Sequence, residues 1–229
     1  MDAVGLLFDA DDVLYDATVW RHWLVQLLSR LGIHTSYQAF CHLWERSFLV
    51  EAHCGRCDYG DALRGLLTSI GLARGQIDEV LAAASARRRQ LDETVRALPG
   101  VARTLERLQH RGVRLGVVAN DDAGRANLAQ RLRRAGLNVE WRAIATSYDV
   151  RCAMPDAPVY RAALAEMELS AEQAVLVSHD RLELAGAAAV GMHTIAVNYD
   201  GDVAADVHVA RFDQLPAIVD RLRVPAMAS

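Results

Sequence analysis

Short, uninterrupted apolar runs recur along the chain at Val4–Phe8, Val113–Val118, Ala143–Ala145, Ala174–Val177 and Thr194–Val197. Runs this short, without polar alternation, predict strands buried on both faces. Between the later runs lie amphipathic stretches, Val101–Arg111, Ala123–Ala135, Pro158–Met167 and Leu182–Val190, that predict helices. Strands alternating with helices predict an α/β fold, a parallel sheet covered on both faces. Such sheets bind ligands beyond the carboxyl ends of their strands. The polar residues that follow each run are therefore the ones to weigh.

Residues 17–97 break this rhythm and read as nearly all helix, with breaks near Gly32–Ser36, Gly55–Tyr59 and Gly71–Gly75. Leu24, Leu27, Leu28 and Leu31 form one apolar stripe, and Leu63, Leu66, Leu67 and Ile70 another. Pro99-Gly100 then returns the chain to the alternating pattern. The expectation is a helical bundle at 17–97 inserted into a core formed by 1–16 and 98–229. Arg87-Arg88-Arg89 reads as a solvated helix face, and Trp20, Trp23 and Trp44 read as packing residues of the bundle.

The 229 residues, 52% of them hydrophobic, suffice for a well-buried core. A net charge of −4 disfavours a broad nucleic-acid surface while leaving room for a small anionic metabolite. No run approaches the roughly 18–20 apolar residues of a membrane span. Met1–Gly5 lacks the basic start of a secretory signal, so a cytoplasmic location is expected. Cys41, Cys54, Cys57 and Cys152 are scattered and read as free thiols. His53-Cys54-x-x-Cys57 lacks a second ligand pair at zinc-finger spacing. All 25 basic residues are arginine, so no step can use a lysine ammonium. The oligomeric state is left open.

The first run leads into Asp9-Ala10-Asp11-Asp12. Asp9 and Asp11, two apart, share a side of an extended strand. Carboxylates this close repel unless one holds a proton or a cation lies between them. A hard divalent ion such as Mg²⁺ would relieve the repulsion and bind phosphate oxygens. One carboxylate can also act as a nucleophile while its neighbour handles the proton. A solvated acidic turn is the plainer alternative.

Leu6-Leu7-Phe8-Asp9-Ala10-Asp11-Asp12-Val13-Leu14 resembles the first signature of the haloacid dehalogenase superfamily, an apolar strand followed by Asp-x-Asp. Val117-Val118-Ala119-Asn120-Asp121 resembles the second signature and Met154-Pro155-Asp156 the third. Val175-Leu176-Val177-Ser178-His179-Asp180, with Gly186-Ala187 and Gly191-Met192, resembles the fourth. The helical stretch falls where that family carries an α-helical cap. The resemblance implies a Rossmann-like core and phosphoryl transfer through an aspartyl-phosphate. Asp9 would be the nucleophile and Asp11 the general acid/base. Asp9, the Asp11 carbonyl and Asp180 would hold Mg²⁺, and Ala119, Asn120 and Met154 would line the phosphate pocket.

The departures from the family pattern matter as much. Ala119 replaces a Ser or Thr that donates to the phosphoryl group, Met154 replaces a lysine, and Asp12 replaces a glycine. Losing one preorganised donor typically costs about 10²–10³ in rate. Arg151, Arg181 or Arg142 would offer a replacement cation by position. His179 would be a ligand, a proton carrier or a spacer, and Glu183 the second acid of the fourth signature. Arg46 alone in the cap is too weak a signal to enter the set. Three readings follow: a phosphohydrolase with weakened chemistry, a silent relative that binds or regulates, and a 2-haloacid dehalogenase. The last is disfavoured by the acid at Asp11 and by the absent lysine.

Overall fold

The computed structural model describes residues 5–199 and 201–222. Val4 of the first predicted strand lies outside them, as does most of the expected signal-free start. The apolar runs form strands β1 (Gly5–Asp9), β2 (Arg114–Ala119), β3 (Trp141–Thr146), β4 (Ala174–Ser178) and β5 (His193–Val197). A sixth, β6 (Val207–Val209), is too short and too interrupted by His208 to show as an apolar run. All pair in parallel, in the order β3-β2-β1-β4-β5-β6. This is a Rossmann-like α/β sheet. The chain order reverses between β1 and β4, and ligands in such sheets bind at that switch point.

Every residue of β1 is buried, because the strand is central and covered on both faces. Leu6 and Phe8 join a core with Leu105 and Leu108 of α6 (Val101–His110), Leu128 and Leu132 of α7 (Arg125–Arg134), and Leu215 and Val219 of α11 (Leu215–Leu222). Leu7, pointing the other way, joins Tyr160 and Leu164 of α9 (Ala157–Met167) and Leu184 and Ala187 of α10 (Arg181–Val190). A short helix, α8 (Ser147–Val150), follows β3.

Between β1 and β2 the chain is helical: α1 (Thr18–Arg30), α2 (Tyr37–Leu43), a π-helical turn (Trp44–Leu49), α3 (Val50–His53), α4 (Tyr59–Ser69) and α5 (Arg74–Thr94). The two predicted stripes supply a separate apolar cluster in which Leu24, Leu28, Leu63, Leu66 and Leu67 are buried with Phe40 and Trp44. Among the described residues no helix is long and apolar enough to cross a membrane.

The insert is tied to the sheet by charge. Arg88 of α5 donates two hydrogen bonds of 2.8 Å to Asp122, beyond β2, and stacks 3.6 Å over the Tyr59 ring. Asp92 accepts from Arg131 of α7 at 2.9 Å. The expectation that Arg88 is solvated is therefore corrected: its side chain is 27% exposed, since α5 turns that face toward the sheet. Arg89 stays exposed, as expected.

Candidate functional site

The carboxyl ends of β1 and β4 bring Asp9 beside Ser178, His179 and Asp180. Asp9 is 4% exposed and forms part of the wall of a 330 Å³ cavity shared with Asp11, Asn120, Met154, His179, Asp180 and Glu183. Asp11 lines the same cavity as Asp9. β1 stops at Asp9, and residues 10–15 fold into a tight turn closed by Asp12 N donating to Tyr15 O at 2.8 Å and Leu14 N to Ala10 O at 3.0 Å. Asp11, which bridges to Tyr15, opens that turn.

Asp12 does not face the cavity. It adopts φ 59°, the left-handed region that suits the usual glycine and that Asp tolerates. Its side chain accepts from Ala17 N at 2.8 Å and pairs with Arg21 of α1. Arg21 also contacts Glu45 at 3.2 Å and Tyr37 Oη at 3.1 Å. The extra acid in the first signature is thus neutralised by a cation from the insert.

His179 Nδ1 lies 3.5 Å from Asp9 Oδ2. Burial disfavours its charged form, but Asp9, Asp12 and Asp180 outweigh burial and carry its pKa up to about 9. Asp9 is pushed up by burial and by Asp11, against the pull of His179. Glu183 is pushed well up by burial and by Asp9 and Asp180. Ser178 Oγ sits 2.9 Å from Glu183 Oε2 and 3.4 Å from Asp9 Oδ2. Asp180 caps α10, accepting from Leu182 N at 2.7 Å and Glu183 N at 3.0 Å through one oxygen.

The second and third signatures are joined directly. Asn120 Oδ1 accepts from Met154 N at 2.8 Å, and Asn120 Nδ2 donates to Met154 O at 3.2 Å. Met154 is 5% exposed and faces the cavity with no polar side-chain group. Ala119 is buried just before Asn120 and is not among the residues lining the cavity.

The arginines nominated as replacements do not reach the site. Arg151 follows α8 at φ 62°, which aims its guanidinium at the insert, where it donates to Gly55 O at 2.5 Å. Arg142 pairs with Glu140 at 3.2 Å, and Arg181 is exposed at the start of α10. The cations that line the cavity come instead from the insert, as Arg21 and Arg46, the latter carried by the π-helical turn. Glu45 and His53 line it too. Nothing in their spacing signalled this, because the contact is made by helix packing.

A second cavity, of 390 Å³, adjoins the first and shares Asp11, Arg21, Glu45, Leu49, His53 and Asn120 with it. The four cysteines are free, and among the described residues no three His, Cys, Asp or Glu side chains converge as a metal-holding group.

A family model described as haloacid dehalogenase-like hydrolase matches residues 52–197. No curated protein sequence matches the chain. Among solved structures, a HAD family hydrolase of Deinococcus radiodurans R1 with bound phosphate and sodium is 20% identical, with 96% of each chain covered and a TM-score of 0.71. A HAD-hydrolase of Bacillus subtilis bound to magnesium is 19% identical, covering 96% of this chain and 100% of that one, with a TM-score of 0.72. A 2-haloacid dehalogenase of Pseudomonas syringae pv. Tomato DC3000 is 25% identical, covering 96% and 99%, with a TM-score of 0.63.

Proposed function

Because the chain belongs to the haloacid dehalogenase-like hydrolases, we propose that it hydrolyses a small phosphorylated metabolite through an aspartyl-phosphate on Asp9, with Mg²⁺ as cofactor. The observation that carries this reading is the imidazole of His179, 3.5 Å from the buried Asp9 carboxylate. It supplies positive charge beside the nucleophile in a chain without lysine.

Asp9 Oδ1, on which neither the His179 nor the Ser178 contact falls, attacks phosphorus. The bond to the leaving oxygen breaks, and that oxygen takes a proton from the Asp11 carboxyl group. Asp11 then accepts a proton from the water that attacks the phosphorus, which releases inorganic phosphate and restores Asp9. Asn120 fixes the main chain at Met154 and so shapes the cavity wall opposite.

The candidate donors are oxygens, the ligand type a hard cation takes. Asp9, Asp11, Asp180 and Glu183 line one cavity, without three of their side chains converging on one point, and burial together with neighbouring carboxylates raises Asp9 and Glu183. Asp9, Asp180 and the Asp11 carbonyl would hold the ion, which would neutralise phosphate charge when bound. Phosphate in the Deinococcus structure and magnesium in the Bacillus structure support this reading.

A second reading, a pocket that binds without turnover, is favoured by Met154 and Ala119, which offer no side-chain donor to a phosphoryl group. Dehalogenation is disfavoured by the acid at Asp11, and a chloride-release assay on a 2-haloacid checks it. The deciding test is phosphate release from an aryl phosphate and a metabolite panel, with Mg²⁺ and then with chelator, beside Asp9→Asn. Release that needs Mg²⁺ and is lost in Asp9→Asn supports hydrolysis. No release above that variant leaves the binding role standing.

A further inference from the structure

Cys54 is 3% exposed yet belongs to none of the three apolar clusters. Cys41 and Cys57 pack against the insert's own cluster instead. Cys54 stands at the end of α3, and α3 packs against α8 with Cα pairs within 8 Å. It is buried at the seam between insert and sheet.

The other side of that seam carries Cys152. Its N–H donates to Ser147 O at 3.1 Å, which folds the end of α8 back on itself. Arg151, its neighbour, donates to the carbonyl of Gly55, the neighbour of Cys54, at 2.5 Å. A Cβ placed on Gly55 would stand 3.2 Å from Tyr148 Cε2, so the two segments touch there. Cys152 is partly exposed, and its thiol donates to Asp156 Oδ2 at 3.6 Å. That thiol is pushed up by burial, by Asp156 and by Cys54, against the pull of Arg56, so Cys54 lies within its electrostatic reach.

Each cysteine also adjoins the carboxylate cavity. His53 lines it from the insert and Ala153 from the sheet side. A covalent bond between their chain neighbours, Cys54 and Cys152, joins those two walls.

We propose that Cys54 and Cys152 are a redox-responsive pair that a peroxide converts to a disulfide, clamping the insert to the sheet beside the cavity. This bond does not depend on phosphoryl chemistry at Asp9. The Cys152 thiolate, the one an oxidant reaches, attacks a peroxide oxygen. The O–O bond breaks, and the hydroxide that leaves takes up a proton to become water. The Cys54 thiolate then attacks the sulfenic sulfur, the S–O bond breaks, a second water leaves and the S–S bond forms. Both sulfurs are oxidised and the peroxide is reduced to water.

The test treats the reduced full chain with a small excess of hydrogen peroxide, alkylates it in denaturant and digests it with trypsin without reductant. Cleavage after Arg46, Arg56 and Arg151 places Cys54, Cys57 and Cys152 on separate peptides, so the linked pair identifies itself. The expected result is a fall from four free thiols to two, with one cross-link joining peptides 47–56 and 152–161. Dithiothreitol should remove that cross-link. Cys152→Ser should abolish it, and Cys57→Ser should leave it in place. The oxidised chain should melt about 5 °C or more above the reduced one, because the bond closes a long loop. Absence of this cross-link would overturn the proposal, whether the thiols stay free or Cys54 pairs with Cys57. A Cys54–Cys152 bond that left the melting temperature unchanged or lower would overturn the clamp.

Discussion

His179 Nδ1 stands 3.5 Å from Asp9 Oδ2, and the pair joins the ends of the two central strands β1 and β4. Asp9 is buried, so an imidazolium beside it acts in a medium that screens charge poorly. On the proposed phosphoryl chemistry, replacing it with a neutral side chain would remove positive charge from beside the nucleophile. His179→Gln is expected to lower kcat for phosphate release by about 10²-fold, the cost of one preorganised donor. Steady-state kinetics check this, and a rate within twofold of the parent would remove His179 from the reaction.

Gly186 of α10 lies against the third-signature loop. A Cβ placed on it would stand 2.3 Å from Pro155 O and 2.8 Å from Pro155 Cβ, so the loop would have to move. Met154, whose main chain is pinned by Asn120, would move with it. Gly186→Ala is expected to cost about 1–3 kcal/mol of stability, as overpacking does. It should also reduce the reaction rate, because the cavity wall shifts. Urea denaturation and kinetics on the same preparation would reveal both effects, and a variant as stable as the parent would contradict the packing argument.

Arg88 and Asp122 hold the insert to the sheet through a two-bond contact that is largely shielded, with side chains 27% and 11% exposed. Paired charges at this depth lose more when one partner is removed than surface pairs do. Arg88→Ala should cost about 1–3 kcal/mol. Arg88→Lys should recover part of that, since an ammonium keeps the charge without the fork. Denaturation midpoints order the three proteins, and an Arg88→Ala variant equal to the parent would show the tie to be without consequence.

His53 lines both cavities, and burial lowers its pKa to about 4, against the opposing pull of Asp122 and Asp11. The folded protein therefore holds it neutral, while the unfolded chain protonates it near 6.5. Because the unfolded state binds the extra proton, stability falls as pH drops from about 6.5 toward 4 and is unaffected by this group above that window. The loss amounts to no more than about 3 kcal/mol. His53→Gln should show a shallower decline between pH 7 and 4.5 in chemical denaturation. Parallel declines in parent and variant would show that His53 does not contribute.

The sequence by itself determined the sheet, because short unbroken apolar runs such as Leu6-Leu7-Phe8, alternating with amphipathic helical stretches, fit strands covered on both faces. It also determined the helical character of the insert, through leucine stripes that pack against one another. Positions tied to strand ends were legible for the same reason. Asp9, Asn120, Met154, His179, Asp180 and Glu183 all line one cavity, because parallel strands present their carboxyl ends on one edge. The tertiary structure alone decided which cations serve the site. Arg151 and Arg181 were near in sequence, yet their backbone positions send them to the insert and to solvent. Arg21 and Arg88 lie in helices whose rotation about their axes is fixed only when they pack on the sheet, and that rotation turned one toward Asp12 and the other toward Asp122. Periodicity specifies which face of a helix is apolar. Where each polar side chain meets its partner depends on contacts between segments far apart in the chain, and those form only when the insert and the sheet come together.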